Sequence, residues 1–211
     1  TTITILTKPH PCPGECIFCP SEAGLPQSYL SDEPGARRGV ENHFDPYLQV
    51  SSRLKALHQV GHPTEKIELL ILGGSWSSYP AEYREWFIRR CFEALNEENP
   101  LDDRGLVSLA EVQARNVSGT HRNVGLVVET RPDLISREGL LELRQQGVTK
   151  IQIGVQSMDD DVLLRNRRGH SAAEAEEAVA LVRAAGYKVV LDWMPNLLGA
   201  TPESDRRDFS R

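Results

Sequence analysis

Three of the chain's four cysteines, Cys12, Cys16 and Cys19, fall within eight positions in the segment PCPGECIFCP. Thiolates at this spacing can hold one small metal centre from a single loop, and they leave a fourth ligand position to be filled. An iron–sulfur cluster with three cysteine ligands fits this pattern. A zinc site completed by His10, or a redox role for the thiols, is an alternative that the spacing leaves open. The fourth cysteine, Cys91, falls on an apolar helical stripe and is expected to be an ordinary buried residue.

The composition indicates a globular protein without a membrane segment. The 211 residues are 39% hydrophobic and 26% charged, and the formal net charge is −6. That length fits one domain, and the bulk charge does not indicate nucleic-acid binding. No apolar run approaches the roughly 20 residues that cross a membrane, and no signal peptide is evident. We therefore expect a cytoplasmic protein, in which clustered thiols are ligands or catalytic groups rather than disulfides.

The elements that must position these cysteines follow an alternating strand and helix pattern. Five runs rich in Val, Ile and Leu predict strands at residues 2–6, 67–74, 123–130, 150–157 and 187–195. Helical segments with clear starts lie between them, including one after Asp45–Pro46 and one after Ser171 with Glu174 as a capping box. This alternation is typical of parallel α/β folds, including partial and full barrels. The polar residues 20–44 are expected to form a long loop.

Polar and glycine-rich segments follow the predicted strands. They are GGS at 73–75, ETRPD at 129–133, GVQS at 154–157 and DWMP at 192–195, and RNRRGH at 165–170 precedes a capped helix. The cysteines directly follow the first strand. Because the carboxyl ends of parallel strands build the active sites of α/β proteins, we expect all these segments to converge on one site.

These motifs together resemble the radical S-adenosylmethionine (SAM) superfamily. The resemblance rests on CxxxCxxC with Phe18 before the last cysteine, on the Gly-Gly after the second strand, and on IQIGVQS and RGH. A narrower resemblance, to the prokaryotic form of the Elongator protein 3 family, rests on TKPHPCPGECIFCP, QSYLSDEP, FDPYLQVSSRLKALHQVGH, ETRPD and NRRGH. It implies a partial (βα)6-type radical SAM barrel with parallel strands, truncated before the last strand.

The resemblance also implies a chemistry. Cys12, Cys16 and Cys19 would hold a [4Fe–4S] cluster whose open iron binds the amino and carboxylate groups of SAM, and an electron from the cluster would cleave SAM to methionine and a 5′-deoxyadenosyl radical. In this family the radical is thought to take hydrogen from the acetyl group of acetyl-CoA, and the carbon radical adds to the wobble uridine of tRNA. The implied partners are tRNA, acetyl-CoA, a reductase or other electron donor and, in a eukaryote, further Elongator subunits.

Seven residues are expected to bind SAM: Phe18, Gly73, Gly74, Glu129, Gln156, Arg168 and Asp192. The two glycines would let the backbone approach the SAM ammonium closely, although a simple turn explains them as well.

The other five have individual expected roles. Glu129 and Gln156 would accept hydrogen bonds from the ammonium or the ribose hydroxyls. Arg168 would pair with the carboxylate. Asp192 would contact the adenosine, although a helix cap or a loop salt bridge explains it as well. Phe18 would pack against the adenine, with ordinary core packing beside the cluster as the alternative.

Nucleic-acid contacts are a further expectation. Candidate phosphate contacts and stacking faces are Arg37, Arg38, Arg53, Lys55, Arg165, Arg167, Arg168, Tyr29, Phe44 and Tyr47, with Lys8 and His10 beside the cysteines.

Residues 1–211 are predicted to be the radical SAM domain of a longer protein, without the C-terminal acetyltransferase-like domain of the family. We expect such a fragment to be incomplete for the full modification. Two alternatives remain: another radical SAM enzyme, acting on a porphyrin precursor or adding sulfur to tRNA, and a non-catalytic zinc-binding module.

Overall fold

A computed structural model describes residues 1–97 and 107–210 and contains one parallel sheet. Each strand pairs in parallel with the next along the chain, in the order β1-β2-β3-β4-β5. The strands are β1 Thr2–Leu6, β2 Lys66–Leu72, β3 Arg122–Thr130, β4 Lys150–Gln156 and β5 Lys188–Trp193. All five predicted strands are confirmed, and so is the parallel α/β class.

Helices connect the strands. Within the described ranges they are α1 Pro34–Glu41, α2 Pro46–Gln59, α3 Ala81–Leu95, α4 Leu109–Asn116, α5 Arg137–Gln145, α6 Asp160–Arg165, α7 Ala172–Ala184 and α8 Pro202–Phe209. None of the helices in this part of the chain is both long and apolar enough to span a membrane.

Helices α2 and α7 begin directly after the capping residues that the sequence predicts. The Asp45 side chain accepts a hydrogen bond from the Leu48 amide at 2.9 Å, directly before α2. Ser171 and Glu174 form a reciprocal capping box at the start of α7. Both satisfy amide groups that the first helical turn would otherwise leave unpaired.

Two sequence predictions about the elements need correction, and one helix lacks a prediction. Residues 20–44 are not all loop, because α1 forms at their end and buries Ala36 and Gly39. The second strand ends at Leu72 rather than at residue 74, since Gly73 and Gly74 adopt φ of 132° and 94°, which a strand does not allow. Helix α8 was not predicted, because its sequence is almost entirely polar.

The core lies around the middle strands. Ile67, Leu69 and Ile71 of β2 are at most 1% exposed and belong to the same apolar cluster as Phe87 of α3. Cys91 is fully buried in this cluster, as predicted, and burial raises the pKa of its thiol well above the ordinary value. It is therefore an inert packing residue, far less able to ionise than an exposed thiol.

Candidate active site

A cavity of about 580 Å³ opens at the carboxyl ends of the strands. This volume is within the range of about 300–1,000 Å³ that is usual for small-molecule sites. The cysteine loop after β1 forms one wall, and residues from the ends of β3, β4 and β5 form the other. The convergence predicted from the sequence is therefore present.

The cysteine loop is held by a backbone bond to a distant segment and by hydrogen bonds within the loop. The Ile17 amide donates to the Asn166 carbonyl at 3.2 Å, which ties the loop to the end of α6. The Cys19 amide bonds the Cys16 carbonyl at 3.3 Å, so a turn brings these two cysteines together. The Gly14 amide donates to Cys12 Sγ at 3.4 Å. All three cysteines are partly accessible and line the cavity.

Cys16 lies in a cationic environment. Arg168 Nη1 is 3.3 Å and Arg131 Nη1 is 3.5 Å from its Sγ. The pKa of Cys16 is lowered to about 5, first because the Cys19 thiol donates to it and next because of Arg168, while burial opposes the shift. The pKa of Cys19 is raised, because it shares its proton with Cys16 and is desolvated. A thiolate at Cys16 is the form that binds metals.

The zinc alternative is not favoured by the position of His10. Its Nε2 lies 3.0 Å from the Ser78 carbonyl, and its ring stacks on Tyr79 at 4.6 Å between centroids. Among the residues that the structure describes, no three His, Cys, Asp or Glu side chains converge on the position of a single ion.

Glu129, at the end of β3, supplies a carboxylate to the opposite wall. Tyr29 donates to its Oε2 at 2.8 Å from the loop before α1. Burial is the largest influence on this group and raises the pKa of Glu129 to about 7; the Tyr29 hydroxyl and the amides of Gly74 and Gly73 oppose that rise. The carboxylate is thus poised between its neutral and charged forms near neutral pH.

Gln156 and Asp192 come from adjacent strands. Gln156 adopts φ of 71°, an unusual value for a residue other than glycine, at a register shift between β4 and β5. Gln152 Nε2 donates to both Asp192 carboxylate oxygens, at 3.0 and 3.1 Å. Burial raises the pKa of Asp192. A strained backbone conformation such as the positive φ of Gln156 often occurs at ligand-binding sites, where the surrounding structure holds the residue in place.

Two polar atoms at this site are buried and have no hydrogen-bond partner among the residues that the structure describes: Gln156 Oε1 and Arg168 Nε. One is an acceptor and the other a cationic donor, and both residues line the cavity. Such atoms are costly to bury unless something binds them. SAM carries an ammonium, a carboxylate and ribose hydroxyls, so its polar groups match this pair and Glu129. The thiolate-forming Cys16 beside two other cysteines likewise suits an iron–sulfur cluster.

The structure brings together nearly all the residues predicted to form the site. Lining the cavity are Cys12, Cys16, Phe18, Cys19, Gly74, Glu129, Gln156, Arg168 and Asp192.

Gly73 is the exception. A Cβ there would lie 1.8 Å from Thr7 Oγ1, and its carbonyl accepts a hydrogen bond from the Tyr79 hydroxyl at 3.2 Å. It therefore joins β2 to the segment after β1 instead of lining the cavity.

Sequence reasoning did not assign two residues of the site. Arg131, only 4% exposed, contacts Cys16 and lines the cavity. The motif ETRPD after β3 was a signal for Arg131. The sequence predicts Tyr29 only as a stacking face for RNA, and no local pattern indicates its bond to Glu129, 100 positions away.

The aromatic candidates for RNA stacking are engaged within the chain. Besides Tyr29, Phe44 packs against the small cluster that contains Leu6, and the Tyr47 ring lies 4.8 Å from the Arg90 guanidinium. Burial lowers the pKa of Arg38, and the nearby charge of Arg53 lowers it further.

The family model of the Radical SAM superfamily matches residues 10–209. A tRNA uridine(34) acetyltransferase from Dehalococcoides mccartyi is 41% identical over 207 residues, which cover 97% of this chain and 43% of that protein. A protein with the same name from Methanocaldococcus infernus is 40% identical over 213 residues, covering 98% of this chain and 39% of that one.

A solved structure is also similar. The archaeal Methanocaldococcus infernus Elp3 with an N-terminal deletion superposes with a TM-score of 0.81 and 33% identity, covering all of this chain and 41% of that one. The chain thus spans about two fifths of the length of the curated relatives it matches.

Proposed function

The chain belongs to the radical SAM superfamily, and from that premise we propose that it is the radical SAM core of a tRNA uridine acetyltransferase of the Elongator protein 3 type. The observation that carries the proposal is one cavity lined by three cysteines, a carboxylate poised near neutral pH and two unpartnered buried polar atoms. The similarity to tRNA uridine(34) acetyltransferases supports the substrate class.

Cys12, Cys16 and Cys19 are the proposed ligands of a [4Fe–4S] cluster. Such a cluster, when bound with SAM, supplies the electron that converts SAM to methionine and a 5′-deoxyadenosyl radical. The cofactor carries this difficult chemistry, whereas the protein positions and shields it. Arg168 and Arg131 favour the thiolate form of Cys16, the form needed for ligation.

The opposite wall is proposed to bind and orient SAM. Glu129 and Gln156 accept hydrogen bonds from its ammonium or ribose hydroxyls, since the Gln156 Oε1 has no partner within the described protein. Arg168 offers its unpaired Nε to the carboxylate. Asp192 and Phe18, which line opposite walls of the cavity, would contact the adenosine.

Gly74 is assigned to the same ligand. It lines the cavity with φ of 94°, a conformation in which a side chain would be strained. Gly73 is also one of the residues predicted to bind SAM. We propose that it fixes the turn after β2 and does not contact the ligand itself.

The remaining partners are proposed from the relatives. The co-substrate is acetyl-CoA and the acceptor is the wobble uridine of a tRNA; Arg38 and Arg53 are candidate phosphate contacts because their charges lie close together. An external electron donor is required, and further Elongator subunits would join in a eukaryote. We propose that residues 1–211 are the radical SAM domain and that it works in the cytoplasm, where its thiols stay reduced.

Anaerobic reconstitution with iron and sulfide tests the cluster assignment. We expect the chain to take up about four irons and to absorb in the visible range. Cys16→Ala should lose both, whereas Cys91→Ala, which removes the remote buried cysteine, should keep both while circular dichroism verifies folding. Tight binding of one colourless zinc ion per chain, with no iron uptake, would instead support the zinc-binding module.

A further inference from the structure

We propose that Arg131 is a positioning residue for the Cys16 sulfur and that its charge favours the addition of an electron to a cluster held there. This inference rests on the proposed function, because it requires the three cysteines to carry a redox-active cluster. Arg131 is distinct from Arg168, whose unpaired Nε already has a proposed partner in SAM.

The Arg131 guanidinium is fixed on three sides. Its Nε donates to the Asp133 carboxylate at 2.9 and 3.2 Å, and its Nη2 donates to the Arg168 carbonyl at 2.6 Å. Its Nη1 points to Cys16 Sγ at 3.5 Å. Because the guanidinium is planar, fixing Nε and Nη2 also fixes the direction of Nη1. The side chain is 5% exposed, so water does not compete strongly for these donors.

The cysteine loop passes directly over this guanidinium. A Cβ built on Gly14 would lie 2.2 Å from Arg131 Nη1 and 2.9 Å from its Cζ. No other residue type fits at position 14 unless the guanidinium moves. The backbone at Gly14 does not need a left-handed conformation, so the close approach to Arg131 is what requires glycine there.

The positive charges around Cys16 favour the reduced, more negatively charged form of a cluster bound there. Reduction adds one negative charge, and a cation a few ångströms from a ligand sulfur stabilises that charge when water is largely excluded. Arg131 and Arg168 both touch this sulfur. Asp133 offsets part of the Arg131 charge, but it bonds the far side of the guanidinium and is 26% exposed, hence better screened. Hydrogen bonds to ligand sulfurs are known determinants of cluster potential.

The test is the midpoint potential of the reconstituted chain, measured without SAM by titration with spectroscopic detection. Arg131→Gln should lower the equilibrium constant for one-electron reduction by about tenfold, which is 59 mV toward more negative potential. Arg131→Lys keeps a charge but not the planar fork, so its shift should be smaller. Arg137→Gln, which removes an exposed arginine at the start of α5, is the control and should not move the potential.

A second variant displaces the guanidinium without removing its charge. Gly14→Ala should push Nη1 away from the sulfur and shift the potential in the same direction, whereas Gly35→Ala, where nothing lies within 4 Å, should not. If the Arg131→Gln variant does not retain four irons, the midpoint potentials of the Arg131→Lys and Gly14→Ala variants decide whether the inference holds. Loaded variants with the wild-type potential overturn this inference alone. A wild-type chain that takes up no cluster overturns the proposed function as well.

Discussion

We expect Glu129 to set the pH range in which the cavity binds a cation. Its pKa of about 7 results mainly from burial, with a further contribution from Asp192 and opposition from Tyr29. Only the ionised carboxylate attracts an ammonium group fully. Its protonation state therefore connects the geometry of the site to ligand affinity.

We predict that SAM binding weakens as the pH falls through about 7. Tyr29→Phe removes a hydrogen bond that lowers the pKa of Glu129, so the transition should move to higher pH. Affinity at pH 7 should then fall roughly two- to fivefold, which corresponds to a pKa rise of about one unit or less. Equilibrium dialysis of labelled SAM with the reconstituted chain measures this. Glu129→Gln should bind with no transition near pH 7, and a wild-type affinity that is constant from pH 6 to 8 would contradict the assignment.

The same carboxylate should cost the ligand-free protein stability. In the folded chain Glu129 keeps its proton up to about pH 7, whereas in the unfolded chain it loses it near the ordinary value of 4.5. Between these values the folded state binds more protons, so rising pH lowers the free energy of unfolding.

Glu129→Gln should therefore stabilise the chain by roughly 3 kcal/mol above pH 7 and have little effect below about pH 4.5. Urea unfolding at several pH values measures the difference, with the exposed Glu138→Gln as control. If Glu129→Gln raises the free energy of unfolding equally at low and high pH, the effect comes from packing rather than from ionisation.

At the scale of elements, the turn after β2 connects the sheet to the cysteine loop. Gly73 packs against Thr7, and the Thr7 amide bonds the Leu72 carbonyl at 2.9 Å. Thr7 is the first residue after β1, from which the loop departs. Movement at Gly73 is thus transmitted directly to the start of the loop.

Gly73→Ala is expected to cost about 1–3 kcal/mol, because φ of 132° is strained for alanine and its Cβ would collide with the Thr7 side chain. Iron retention by the reconstituted chain should fall in parallel. Thermal unfolding and iron analysis measure the two effects, with Gly35→Ala in open space as control. Full iron retention in a destabilised variant would show that the loop is positioned independently of this turn.

For the whole molecule, the sequence was most informative where the signal was local or periodic. The apolar runs predicted all five strands, and the side chains of Asp45 and Ser171 marked helix starts because capping needs only neighbouring residues. The order of polar segments after the strands also predicted which residues meet, since parallel strands place their carboxyl ends together.

The features that the sequence did not predict depend on contacts between distant segments. Helix α8 is polar, and one of its attachments is Asp208, which accepts from the Ser157 hydroxyl at 2.6 Å. The bonds from Tyr29 to Glu129 and from Arg131 to Cys16 join residues 100 and 115 positions apart. The periodicity of helices and strands in the sequence carries no information about such distant pairs. These contacts are therefore seen only in the folded chain.

The most direct test of the central claim is the production of 5′-deoxyadenosine from SAM by the reconstituted and chemically reduced chain. We expect 5′-deoxyadenosine and methionine to form in equal amounts, and Cys16→Ala to abolish both while Cys91→Ala does not. A chain that retains four irons and binds SAM, yet releases no 5′-deoxyadenosine under reducing conditions, would contradict this claim.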